Sequence, residues 1–209
     1  YTSYVSGTSD RIFNVRKAAG NISGSVVNSG ENFSYNNAVG PTTKEAGFKI
    51  GTAYVGGKAV PSYGGGVCQV SSTLYYSALL ANLKIVSRAC HMYAQDYVPS
   101  GCDATVFWPY LDFVLQNNTD YPIKIVTYWY NNNVTVKIFG TKTDSSFVKI
   151  TSKTVSTTSW KTIYKEVDNL APGAERVTQY PITGFTVQTW RNVYDGNGNL
   201  ISSNFEAES

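Results

Sequence analysis

The stretch PSYGGGVCQVSSTLYYSALLANLKIV, residues 61–86, decides how the rest of the chain is read. Three glycines come first, and after them Val67, Val70, Leu74, Ala78 and Leu79 recur at helical intervals. The spacing predicts a helix that starts near Cys68 and ends near Asn82. A glycine triplet before a helix frees the backbone to present N–H groups at the helix start, where anions are favoured. A phosphate loop would close with Gly-Lys-Ser/Thr, which is missing, so the segment is not read as a nucleotide site. Cys68 occupies the position instead.

A thiol at a helix N-terminus is pushed toward thiolate by the positive end of the helix dipole. The N–H groups of Cys68 and of Gly65 or Gly66 are candidates to hold the oxyanion formed when a carbonyl is attacked. A cysteine in a first turn is more often a small packing residue. The flanking glycines and a suitable base argue for chemistry here. His91 is the sole imidazole, 23 residues on, far enough for the helix to finish and a strand to return alongside its start. A third group orients such a base, and either Asp103 or a backbone carbonyl of a neighbouring strand is open to that role. Arg88 and Tyr97 flank the same segments, Arg88 as a bidentate partner for a substrate carboxylate. Gln69 and Ser71, in the first turn of the helix, join Gly65, Gly66, Arg88 and Tyr97 as substrate- or oxyanion-binding candidates.

Outward from this centre the chain changes character. Upstream, IFNVRKAAGNISGSVV (12–27) has Ile12, Val15, Ala18 and Ala19 at helical spacing and is expected to form a lead-in helix within residues 1–28. Between them, glycines alternate with short apolar runs, and Gly56-Gly57 has the look of a hairpin turn. Downstream, RACHMYAQDYVPSGCDATVFW, LDFVLQNN, PIKIVTYWY and VTVKIFG are read as strands of an antiparallel sheet with Asn-rich turns. Residues 29–142 then form the main domain. The Thr-, Ser- and Lys-rich run after residue 141 opens a small β-rich unit, residues 143–209, punctuated by PG, TG and DGNGN. The expected class is α+β: an antiparallel-sheet-rich domain with a helix at the Gly-rich Cys motif, plus a small all-β module.

Composition narrows the function classes. A formal charge of +3 with scattered Lys and Arg leaves no nucleic-acid footprint. No run approaches the roughly 20 apolar residues that span a bilayer. One histidine and no Cys-x-x-Cys spacing argue against a zinc site, and no metal or cofactor is expected. Cys90 and Cys102 bracket a loop containing Pro99 and Gly101, so a disulfide between them is open, leaving Cys68 free. The polar, abrupt start suggests a piece whose export signal or anchor lies upstream.

The pieces GENFSYNNAVGPTTKEAGF, GGGVCQVSSTLYYSALLANLKIVSRACH, YVPSGCDATVFW and LDFVLQNNTDYPIKI together resemble the VanW domain over roughly residues 29–140. The resemblance implies an exported, extracytoplasmic protein of Gram-positive type acting on peptidoglycan stem peptides. It further implies L,D-transpeptidase activity, in which Cys68 attacks the carbonyl of a third-position diaminopimelate and expels D-Ala. His91 then assists the side-chain amine of a second stem as it takes the acyl group. Passage of the acyl group to water instead would make a carboxypeptidase or endopeptidase. An inert Cys68 would leave a cell-wall binding protein. APGAERVTQ, ITGFTVQTWRNVYD and GNGN resemble a small five-glycine extracellular module, which implies contact with glycan strands.

Overall fold

The computed structural model describes residues 1–55, 58–178, 180 and 182–209, so the Gly56-Gly57 turn lies outside the described residues. The chain runs β1 (Thr2–Tyr4), α1 (Ser9–Ile22), β2 (Val26–Val27), β3 (Asn32–Ser34), α2 (Tyr35–Val39), β4 (Ile50–Val55) and β5 (Lys58–Tyr63). It continues with α3 (Val67–Leu80), β6 (Lys84–Ser87), β7 (Val114–Gln116), β8 (Ile123–Tyr130), β9 (Asn133–Phe139), β10 (Phe147–Thr158), β11 (Gly184–Tyr194) and β12 (Leu200–Glu208). Several antiparallel sheets and few helices make it an α+β protein.

The core lies where α1 and α3 meet the sheet β1-β9-β8-β2. Helix α3 contains no Asp, Glu, Lys or Arg and is buried nearly all round. Val70, Leu74, Ala78 and Leu79 are accordingly fully buried, and even Ser71, Ser72 and Thr73 lie inside. The hydroxyls of the last three avoid an unpaired burial by bonding carbonyls: Ser72 and Ser71 donate to Cys68 O, and Thr73 donates to Gln69 O.

Helix α1 belongs inside this core rather than ahead of it. Thr8 caps its first turn, and Val15, Ala18, Ala19 and Ile22 face α3 and β8. The preceding β1 pairs with β9, Thr2 opposite Thr135 and Tyr4 opposite Asn133. The helix expected within residues 1–28 is α1, and its apolar stripe is a core face.

One correction concerns residues 88–113, expected as strands. They are largely irregular, with isolated bridges pairing Ala89 with Thr105 and Phe107 with Leu111. Pro99, Gly101 and Pro109 interrupt any longer ladder. The disulfide left open by the sequence is absent, and Cys68, Cys90 and Cys102 are all free. Cys102 is fully buried beside Ser152 of β10, where burial pushes its thiol up to about 11, while Cys90 stays half-buried on the facing segment.

Strands β10, β11 and β12 form a separate sheet in the order β10-β11-β12. Arg191 fastens it to the end of α3, donating to Leu83 O at 2.7 Å and to Asn82 Oδ1 at 3.2 Å while paired with Glu206.

Candidate functional site

Each glycine of the triplet answers a different steric demand, and two of them place the site. Gly65 lies against the backbone of β4, where a Cβ would stand 2.6 Å from Gly51 C. Gly66 caps α3 with a φ of 111°, and a side chain there would also strike the stem of Arg11 at 2.9 Å. The segment must be glycine for α3 to begin here, hard against β4 and α1. Asn14, fully buried on α1, locks this corner by donating to Gly65 O and Lys49 O and accepting from Lys49 N.

Cys68 follows in the first turn. Its Sγ lies 3.4 Å from Val106 O, 3.5 Å from Val106 N and 3.8 Å from Thr105 Oγ1. Two serines hold that facing segment in place. Ser71 donates to Ala104 O at 2.7 Å, and Ser72 accepts from Ala104 N at 2.9 Å. The Ala89–Thr105 bridge aligns the two segments so that two residues further on one side and two back on the other stand His91 and Asp103.

Asp103 Oδ2 accepts from the His91 backbone N–H at 2.7 Å and lies 2.6 Å from His91 Nδ1. With Nδ1 so engaged, the other ring nitrogen is the one open to Cys68, whose thiol and the imidazole are close enough to shift each other's proton affinity. Of the two orienting groups left open by the sequence, the structure places the Asp103 carboxylate at the imidazole.

The electrostatics follow from this chain of contacts. Burial alone raises the Cys68 thiol. The hydrogen bond and charge of His91, with Val106 N–H and Thr105 behind them, outweigh burial and bring the thiol below its ordinary value. Burial would likewise lower His91, but Asp103 and Cys68 lift it to about 9. Asp103 is raised by burial, yet its two bonds to His91 and the charge of Arg88 hold it below the usual carboxylate range. These directions favour the thiolate–imidazolium form of the pair over the neutral one.

The remaining residues singled out by the sequence divide. Arg88, 7% exposed, points inward: Nε donates to Asp103 O at 2.6 Å, Nη2 to Asp103 Oδ1 at 3.1 Å and Gly101 O at 3.2 Å, and Nη1 to Ser209 Oγ at 2.8 Å. It fixes Asp103, and its face also lies over Tyr75. Ser71 is enclosed and bound to backbone, as above. Gln69, 1% exposed, donates to Tyr4 O and Ser3 Oγ and accepts from Arg11. The Gly65 N–H is directed at Ser62 O, 3.4 Å away. Tyr97 lines a cleft together with Gln69 and Arg11. Thr105, Val106 and Ser72 were not flagged by the sequence, since a Thr-Val pair in an apolar run and a mid-helix serine carry no signal of their own. Among the described residues no cluster of His, Cys, Asp and Glu is arranged to hold a metal ion.

The arrangement is that of an activated cysteine, oriented through a histidine and an aspartate. The family model described as "VanW like protein" matches residues 10–139, and the chain belongs to that family. It is 38% identical over 138 residues to "Uncharacterized protein YoaR" of Bacillus subtilis (strain 168), covering 66% of this chain and 46% of that protein. It is 27% identical over 151 residues to "Vancomycin B-type resistance protein VanW" of Enterococcus faecalis (strain ATCC 700802 / V583), covering 70% of this chain and 55% of that protein. The chain thus spans about half the length of these relatives. No solved structure matches it.

Proposed function

We propose that the protein is a cysteine acyltransferase of the cell wall, an L,D-transpeptidase that joins third-position diaminopimelate residues of peptidoglycan stem peptides. The observation that carries the reading is the line Cys68–His91–Asp103, with a thiol drawn down and an imidazole drawn up. The thiolate attacks the carbonyl of diaminopimelate. The C–N bond to D-Ala breaks, and His91 gives its proton to the leaving amine. The neutral imidazole then receives a proton from the incoming amine as the thioester C–S bond breaks, which restores the pair. Cys68 N–H, at the start of α3, is the donor best placed to meet the oxyanion.

The reading puts the protein outside the cytoplasm, with stem peptides as substrate and no cofactor. The name of the Enterococcus relative, which ties that protein to vancomycin resistance, is in keeping with work at the cell wall. The C-terminal sheet, by its likeness to the five-glycine module, is assigned contact with glycan strands.

Intact-mass spectrometry after incubation with a disaccharide-tetrapeptide, with Cys68→Ala as control, tests this. A mass increase on Cys68 together with dimeric muropeptides is the expected result. An adduct with only trimmed monomers would make the protein a hydrolase. No adduct and no product would leave a wall-binding protein.

A further inference from the structure

Two clefts flank the Cys68–His91 pair. One, of about 240 Å³, lies between the 91–103 segment and β11 and has His91 and Asp103 in its wall. Its described lining contains no lysine or arginine. The other, also about 240 Å³, is lined by Ser6, Arg11, Gln69 of the first turn of α3, Asp96 and Tyr97, together with residues 1–4. It holds both signs of charge.

Arg11 is built into that second cleft rather than lying on its surface. Its stem passes over Gly66, where any side chain would collide with it. Nη1 donates to Ser6 O at 2.7 Å and Nη2 to Gln69 Oε1 at 2.8 Å. Gln69 is itself immobilised, its amide spent on Tyr4 O and Ser3 Oγ. Two of the five guanidinium N–H groups are thus used to aim the fork, and the others remain for a planar anion. Tyr97 lies within the electrostatic reach of both Cys68 and Arg11, and burial keeps its phenol protonated. Asp96 is exposed at the rim.

A cation and an anion lining one small cleft suit a ligand that carries both charges on one carbon. The reaction proposed above has such a reactant, since the acceptor amine of diaminopimelate sits on a carbon that also bears a carboxylate. Resting on that reading, we infer that the Arg11 cleft is the acceptor subsite, with the carboxylate on Arg11 and the neighbouring amine turned toward Cys68. Asp96 favours entry of the ammonium form. Once the amine has lost a proton to solvent, its nitrogen attacks the thioester carbonyl. The C–S bond breaks, sulfur leaves as thiolate, and the surplus proton passes to His91. Arg11 is then a specificity residue, and Gln69 is the residue that positions it.

The test uses full-length Cys68→Ala protein, titrated by calorimetry with a stem tripeptide ending in meso-diaminopimelate. Two modified tripeptides serve as probes, one amidated at the side-chain carboxylate and one acetylated at the side-chain amine. Saturable binding of the free tripeptide is expected, weakened about tenfold or more by amidation, the loss of one charge-assisted pair. Adding Arg11→Gln should abolish the difference between free and amidated ligand, and Arg11→Lys should restore it only in part because the fork is lost. Equal affinities for free and amidated tripeptide on the Arg11 protein, or no saturable binding, would overturn the assignment. The ligand-side change keeps the result independent of whether Arg11→Gln folds. An adduct on Cys68 without tripeptide binding sinks the subsite alone. Tripeptide binding without an adduct sinks the transpeptidase alone.

Discussion

The two halves of the site are made in different ways. Residues 64–80 are regular: glycines chosen by steric contact, then a helix whose apolar positions are sealed in the core. Residues 88–106, which bring His91, Asp103, Thr105 and Val106, have almost no regular structure. They are held by side-chain bonds: Ser71 and Ser72 from the helix, Arg88 from within, Ser209 from the C-terminal sheet. Cys68 is placed by packing, whereas the His91–Asp103 pair depends on a few polar contacts. Damage to the first half should show as lost stability, and damage to the second as lost chemistry in a folded protein.

The largest expected effect falls in the irregular half. Asp103→Asn keeps the shape but removes the charge that holds the His91 tautomer, and should lower the rate of acyl transfer by about 10⁴ with little change in melting temperature. A fall under tenfold would show that Asp103 does no more than brace the loop. In the regular half, Gly65→Ala forces a Cβ into the Gly51 backbone and should cost about 3 kcal/mol in urea unfolding. Unchanged stability there would mean that β4 yields readily and that the close contact is incidental.

His91→Ala separates the halves directly, because only Val106 N–H and Thr105 then oppose burial and the Cys68 pKa rises. Alkylation by iodoacetamide at pH 7 should slow, as expected for a thiol that has lost the groups favouring its thiolate. An undiminished rate would assign the reactivity to the helix end alone. The smallest effect is expected for Arg88→Gln, which loosens Asp103 without touching the imidazole. Transfer should fall about tenfold, and the alkaline limb of the pH profile should move to lower pH as the charge orienting Asp103 is withdrawn. Arg88→Lys should recover part of both, and an unchanged pH limb would reduce Arg88 to a strut between Asp103 and the C-terminal sheet.

How much of this was legible in the sequence follows the same division. Val67 to Leu79 announced their helix because an enclosed helix writes its period in apolar residues, and the glycines before it marked the tight corner. Cys68 and His91 were legible as the motif cysteine and the sole imidazole. Arg88 was misread as a ligand for substrate, since nothing in a sequence tells an arginine turned inward from one turned out. Arg11 was not noticed because 58 positions separate it from Gln69. Only the packing of α1 on α3 brings them together. The segment containing Asp103 looked like a strand by composition, while its shape is dictated by hydrogen bonds from distant serines.

The paired shifts of Cys68 and His91 also bear on how the protein meets a change in acidity. Considered alone, His91 binds its proton more tightly when folded, so its stabilising share is complete below about 6.5 and is lost as pH rises through about 9. Cys68 acts in the opposite sense: its share is complete above the ordinary thiol value of 9.0 and is lost as pH falls through the lowered one. Where the two windows overlap, the folded pair carries one proton, on nitrogen, and the unfolded pair also carries one, on sulfur. Unfolding there moves a proton between partners without taking up or releasing any, so the opposed shifts add no acid–base sensitivity to the fold in that window.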